Sequence, residues 1–251
     1  MNYLVYVVLA LGILATLFFV YVRIKKGGVV AMLTKTLASV LFILTAVFAF
    51  IANKNIDSVY GLLIILGLVF GLIGDIVLDL KYCYPLDNDI YTFAGMGSFA
   101  LGHICYLIAI YSNFYTGNLV TLLVPIAIAI VFSSVAIFGG PKLGMNYGKF
   151  KVPSLIYAFL LSFMLFTNVI FCIYSGTASR LFWVLMAIGG FMFIASDLAL
   201  SQTYFVYKKV TDENGNEVQK LIYENKPGFV AFIHITYYAA QFLIAMSLFV
   251  Y

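Results

Sequence analysis

Eight runs of apolar residues, each long enough to cross a bilayer as a helix, limit what this chain can fold into. They cover about 3–22, 31–52, 60–80, 90–112, 119–138, 152–174, 180–205 and 229–251 of a 251-residue chain. At a rise of about 1.5 Å per residue, some 20 apolar residues match the hydrocarbon thickness of a membrane. In lipid only helices and closed barrels satisfy every backbone N–H and C=O, and unbroken apolar runs of this length read as helices. The expected fold is therefore all-α, a polytopic bundle of eight transmembrane helices. With 64% hydrophobic and 10% charged residues, the chain lies outside the composition of soluble domains. Every connection is short except the stretch from Lys208 to Gly228, so residues 1–251 read as a single transmembrane domain.

The first run lacks a basic segment ahead of it and is followed at once by Arg23, Lys25 and Lys26, so it reads as a retained helix and not as a cleaved signal. Cys83, Cys105 and Cys172 have neither disulfide-framework nor metal-ligand spacing. The basic residues are more informative. Arg23, Lys25, Lys26, Lys35, Lys81, Lys142, Lys149, Lys151, Lys208, Lys209, Lys220 and Lys226 fall on one side of the membrane, and Lys54 and Arg180 on the other. The positive-inside rule then places both termini outside the cytoplasm of a bacterial plasma membrane or an endomembrane. The net charge of +4 reads as topology and contact with anionic lipid, with nothing pointing to nucleic acid.

Against this apolar background three aspartates stand out: Asp75 and Asp79 near the end of the third run, and Asp197 in the seventh. An ionisable residue at membrane depth costs several kcal/mol unless paired or hydrated, and it marks a functional site by default. Counting about 1.5 Å per residue puts Asp75 and His234 roughly 8 Å inside the cytoplasmic boundary, Asp197 roughly 10–15 Å, and His103 near the midplane. Lys35, Tyr157, Tyr237, Tyr238 and Gln241 share that inner half. The expected consequence is a water-containing cavity that opens towards the cytoplasm.

Each residue also has a plainer reading. Asp75 and Asp197 can be structural, with Lys35 as ion-pair partner; Lys35 can be an interfacial anchor; and the histidines can be interhelical hydrogen bonders. Any one of the 19 tyrosines is by default a packing residue. Asp79, two residues before Lys81, reads as an interfacial group that reaches for the headgroups. Gly67, Gly71 and Gly74 read as a small-residue stripe for close helix packing. His103-Ile104-Cys105-Tyr106 and His234-Ile235-Thr236-Tyr237 repeat the pattern H-I-x-Y in the fourth and eighth runs, each after an Asp-bearing run, as a parallel four-plus-four duplication would place them. The long connection carries β-prone segments on either side of Asn214-Gly215, a hairpin signal. It serves as a spacer or as a lid.

GLIGDIVLDL, FALGHICYLIAIY, GGFMFIASDLAL and TYYAAQFLI, in that order, resemble the lysoplasmalogenase-like (YhhN-like) membrane proteins over nearly the whole chain. The likeness rests on Gly74-Asp75 and Ser196-Asp197, supported by His103, Tyr238 and Gln241. It implies hydrolysis of the vinyl-ether bond of a lysophospholipid drawn from the membrane, giving a fatty aldehyde and a glycerophospho-alcohol. It also implies that Asp75 and Asp197 are the catalytic carboxylates. Lys35, His103, Tyr157, His234, Tyr238 and Gln241 are then candidates for substrate binding, and no cofactor or metal is called for. Vinyl-ether cleavage needs one carboxyl to protonate carbon and another to direct water, as in paired-carboxylate glycoside hydrolysis. Which of the two is the acid stays open in the sequence, the greater depth of Asp197 favouring it. A proton-coupled carrier would also bury Asp and His. A metal-dependent hydrolase would need more than two histidines to assemble the usual ligand set.

Overall fold

The computed structural model describes residues 2–174, 180–211, 217–221, 223 and 226–251. Its helices are α1 (Asn2–Lys25), α2 (Gly28–Ala52), α3 (Ser58–Leu80), α4 (Asn88–Phe114), α5 (Leu119–Gly139), α6 (Lys151–Tyr174), α7 (Arg180–Phe205) and α8 (Pro227–Val250). All eight are long and apolar enough to span a bilayer. The chain is an integral membrane protein with the all-α polytopic architecture expected, and the helix ends fall within a few residues of the apolar runs. Many large apolar side chains, Leu14, Phe18, Val131 and Val135 among them, face outwards. That surface suits lipid.

Local chemistry sets the helix boundaries. Gly27, before α2, and Gly28, its first residue, turn the chain from α1 at φ of 63° and 58°, a conformation that L side chains seldom adopt. The Asp57 side chain caps α3 by accepting from the Tyr60 N–H at 2.9 Å, the Asn118 side chain caps α5, and Pro227 occupies the first turn of α8. Helices α3 and α4 come close because their contact is built from glycine: a Cβ on Gly67 would lie 2.2 Å from the Tyr106 ring, and one on Gly102 would lie 2.8 Å from the Gly67 carbonyl oxygen. This is the packing role read for Gly67 in the sequence.

Consecutive helices pack as α1 on α2, α2 on α3 and α3 on α4, and again as α5 on α6, α6 on α7 and α7 on α8; the two sets interlock through α2 on α8 and α4 on α6. The same neighbour pattern in both halves is what a parallel four-plus-four arrangement requires. One seam breaks the correspondence. Helix α1 lies along α8, where Phe19 meets His234 and Tyr238 edge-on at 4.8 and 5.8 Å. Helix α5 barely touches α4. They are joined near one end, where the Tyr111 hydroxyl donates to the Thr121 carbonyl at 3.0 Å.

The basic end carries more structure than short links would give. Strands β1 (Tyr207–Thr211) and β2 (Glu217–Leu221) pair antiparallel with Val210 opposite Val218; the Asn214-Gly215 turn lies outside the described residues. Between α5 and α6, 3-10 turns at Gly140–Leu143 and Gly148–Phe150 fold the connection back on the end of α7. The Asn146 N–H donates to the Phe205 carbonyl at 2.7 Å, and Met145, Tyr147, Phe205, Val206 and Ile137 form a separate apolar cluster there.

Candidate active site

Asp75 sits one turn before the end of α3, 2% exposed, inside a complete shell of donors. One carboxylate oxygen accepts from the Ser39 hydroxyl at 2.6 Å and the Tyr237 hydroxyl at 2.7 Å, and the other lies 3.1 Å from Lys35 Nζ. Two helices, α2 and α8, supply these groups. Lys35 and Ser39 are four residues apart and so share one face of α2, and the Tyr237 hydroxyl is held in turn by Gln241 Nε2 at 3.0 Å. Gln241 can stand there because position 71 is glycine: a Cβ would meet its Nε2 at 2.7 Å. Tyr238 serves the same shell from behind, its hydroxyl 2.9 Å from both Ser39 Oγ and the Lys35 carbonyl oxygen.

Asp197 is differently placed. It accepts from the Tyr157 hydroxyl at 2.5 Å, and among the described residues no cation lies within ion-pair distance of it. The neighbouring Ser196 hydroxyl donates to the Ile233 carbonyl at 2.9 Å and fixes α7 against α8. The His103 ring stands edge-on to Phe193 at 4.6 Å and to Tyr157 at 6.2 Å.

Both carboxylates line one cavity of about 340 Å³, open towards the basic end of the bundle and walled mainly by apolar groups such as Met96, Phe99, Phe132 and Leu161. Of the residues expected from the sequence, Asp75, Asp197, Lys35, Tyr157 and His234 line this cavity, and so does Tyr237. His103, Tyr238 and Gln241 do not reach it. His103 Nδ1 is 2.9 Å from the Phe99 carbonyl oxygen in its own helix, Tyr238 backs Ser39, and Gln241 acts through Tyr237. These three support the lining from outside. The tyrosines are more than packing, since Tyr157 and Tyr237 each donate to a carboxylate that lines the cavity.

The interfacial reading of Asp79 is wrong. Asp79 is buried and bonded to two cations, with its Oδ1 3.3 Å from Lys35 Nζ and its Oδ2 paired with the Arg23 guanidinium. The physical reason lies in helix geometry. Residues two apart do not face each other on a helix, so adjacency to Lys81 does not pair it with Asp79, whereas Asp75, four residues back, shares its face. Lys35 correspondingly turns inwards and bridges the two aspartates, so it is not an anchor at the membrane surface. Arg23, Ser39 and Asp79 are the site residues that sequence reasoning missed. The available signal is the i, i+4 pair of carboxylates at 75 and 79, which share a helix face and together call for buried cations.

Fold and site together define an integral membrane helical bundle with a carboxylate pair in a cavity that opens at the basic end. The chain belongs to the YhhN family, whose family model matches residues 30–248. Comparison with curated proteins and with solved structures yields no match. Among the described residues no three of His, Cys, Asp and Glu come together as a ligand set for a metal ion.

Proposed function

We propose that this protein is an intramembrane ether hydrolase that cleaves the vinyl-ether bond of lysoplasmalogens, with Asp197 as the proton donor and Asp75 as the base. The observation that carries the assignment is that two carboxyl groups face one cavity with unlike partners: Lys35 beside Asp75, and a tyrosine beside Asp197. A negative charge with apolar walls around it and no cation beside it is costly. Asp197 therefore holds the proton, while Asp75, balanced by Lys35, stays charged. Membership of the YhhN family supports the reading.

The proposed reaction closes on itself. Asp197 gives its proton to the β-carbon of the vinyl ether, and the positive charge that develops on the ether-bearing carbon and its oxygen is stabilised by the Asp75 carboxylate. Water adds to that carbon and passes a proton to Asp75. In the collapse of the hemiacetal, Asp197 recovers a proton from the new hydroxyl and Asp75 protonates the departing glycerol oxygen. One water is consumed, an aldehyde and an alcohol are released, and both carboxyl groups return to their starting states. The Tyr157 and Tyr237 hydroxyls keep the two groups oriented throughout.

The single acyl chain occupies the apolar part of the cavity, and the basic end faces the cytoplasm with both termini opposite. The decisive test is incubation of the purified protein with a panel of lysoplasmalogens and saturated lysophospholipids, with detection of released aldehyde. Aldehyde is expected from the vinyl ethers alone, and its absence across the panel rejects the reading. For orientation, cysteine at Lys226 should be sealed from an impermeant reagent in intact cells while cysteine at Lys54 is labelled. The reverse pattern would invert the topology.

A further inference from the structure

Arg23 is a cation of the cavity whose position the reaction above does not use. It lies in the last turn of α1, ahead of the part of the chain that the family model matches. Its side chain is only 8% exposed, it pairs with Asp79, and it lines the cavity. Yet its Nε is buried with no hydrogen-bond partner among the described residues. A buried guanidinium N–H without an acceptor is uncommon and asks for an explanation. The ring of Tyr82 lies between two cations here, with Arg23 Cζ and Lys81 Nζ each 4.9 Å from its centroid, and Lys81 lines the same cavity. Asp79 neutralises only part of this group, because Lys35 draws on it as well.

We propose that Arg23 is the phosphate anchor of the cavity: its guanidinium, held in place by the pairing with Asp79, binds the phosphate of a single-chain phospholipid and turns to satisfy its unpartnered Nε–H. The inference rests on the hydrolase reading for the identity of the lipid but not for the presence of the anion site. Placement agrees with the chemistry. Asp79 is one helical turn, about 6 Å, nearer the basic end than Asp75. A phosphate held by Arg23 therefore stands about a glycerol's length from the carboxylates, with the chain directed inwards. An arginine can hold Asp79 with one edge and a phosphate oxygen with another, whereas lysine, lacking Nε and the fixed fork, has only a point charge to divide between them. Beyond Arg23 the cavity meets a second, more polar one lined by Lys81, Asn88, Asp89, Thr92 and Asn146, which takes the rest of the headgroup.

The test uses the full chain in detergent and measures binding of a saturated ester lysophosphatidylethanolamine, which carries no vinyl ether, against the monoacylglycerol of equal chain length. Wild type should prefer the phospholipid by about tenfold, a modest share of what a charge-assisted hydrogen bond can supply. Arg23→Lys should reduce that preference to about onefold. Inorganic phosphate at equal concentration should not displace the lipid. No preference in wild type, an undiminished preference in Arg23→Lys, or displacement by inorganic phosphate would each overturn the proposal. If Arg23→Lys fails to fold, the wild-type protein decides through phenylglyoxal modification mapped by mass spectrometry, since Arg23 and Arg180 are its only arginines. Lysophospholipid must protect Arg23 and spare Arg180, and equal protection of Arg23 by monoacylglycerol, or none by either, overturns it. A protein that prefers the phosphate but releases no aldehyde would defeat the hydrolase reading and leave the anchor standing.

Discussion

The two halves of the bundle place an aspartate in equivalent settings and then treat it differently. Lys35 on α2 holds Asp75 on α3, and Tyr157 on α6 holds Asp197 on α7; each pair is separated by forty residues. The frame is the same, helix on following helix, and the partner has changed from a cation to a phenol. Asp75 gains further donors from α2 and α8, in Ser39 and Tyr237, while among the described residues Asp197 has the single bond from Tyr157. The second copy of the H-I-x-Y pattern takes part in this difference: Tyr237 on α8 reaches Asp75, whereas its counterpart Tyr106 on α4 lies 3.4 Å from Gln241 Oε1 and touches neither carboxylate. Under the proposed mechanism, a common frame with divergent partners makes an acid and a base from chemically identical side chains, the separation on which paired-carboxylate catalysis depends.

The strongest challenge to this comparison is to neutralise each aspartate in turn. Asp75→Asn and Asp197→Asn should each lower aldehyde release by about a thousandfold, within the range for loss of a positioned acid or base. Their effects on stability should differ. Asp197→Asn keeps the Tyr157 contact and removes no ion pair, so its melting temperature should stay near wild type. Asp75→Asn strips Lys35 of one of its two counter-ions and should cost about 3 kcal/mol. Wild-type turnover in either variant would remove that residue from the mechanism, and equal melting temperatures would remove the electrostatic contrast.

A subtler change erases the difference without touching either aspartate. Tyr157→Lys would give Asp197 the kind of partner that Asp75 has, fixing both carboxylates in the charged form. Turnover should fall by about a hundredfold with little loss of lysolipid binding. Retention of the wild-type rate would show that the tyrosine does not set the role of Asp197.

How much of this asymmetry was legible beforehand follows from the range of each signal. The helices were readable because membrane thickness fixes the length of an apolar run, and Asp75 and Asp197 were readable because a charge within such a run needs a reason. Pairing was not. Arg23 sits at the end of a span, where a basic residue is ordinarily counted as topology, and only the folded bundle brings it onto Asp79. Asp79 was matched to Lys81 on adjacency along the chain, which a helix does not convert into adjacency in space. Ser39 carried no sequence signal at all, since a serine in a span is common and its value comes from standing 2.6 Å from a carboxylate on another helix.

The seams of the two halves differ as well. Helix α1 closes on α8, while α5 stands away from α4 and leaves Phe132 and Ala136 on the wall of the cavity. If the acyl chain passes between α4 and α5, Ala136→Trp should lower kcat/KM for long-chain substrates by about tenfold, through 1–2 kcal/mol of overpacking, and have less effect on short-chain ones. Equal effects at both chain lengths would assign Ala136 to general packing and place the chain elsewhere.

The smallest expected effect is that of metal removal, and it bears on the whole comparison, because an ion shared by Asp75 and Asp197 would make their surroundings alike. The donor set argues against sharing. The oxygens of Asp75 already face Ser39, Tyr237 and the Lys35 ammonium, a cation that a metal would have to displace, and no third His, Cys, Asp or Glu joins the pair among the described residues. Tetrahedral zinc sites ordinarily take three protein ligands besides water. Dialysis against a strong chelator, with metal content measured before and after, should therefore leave aldehyde release unchanged. Activity lost in step with one equivalent of metal and restored on its return would mean that both aspartates act as ligands, and the contrast between Lys35 and Tyr157 would then concern metal geometry in place of proton ownership.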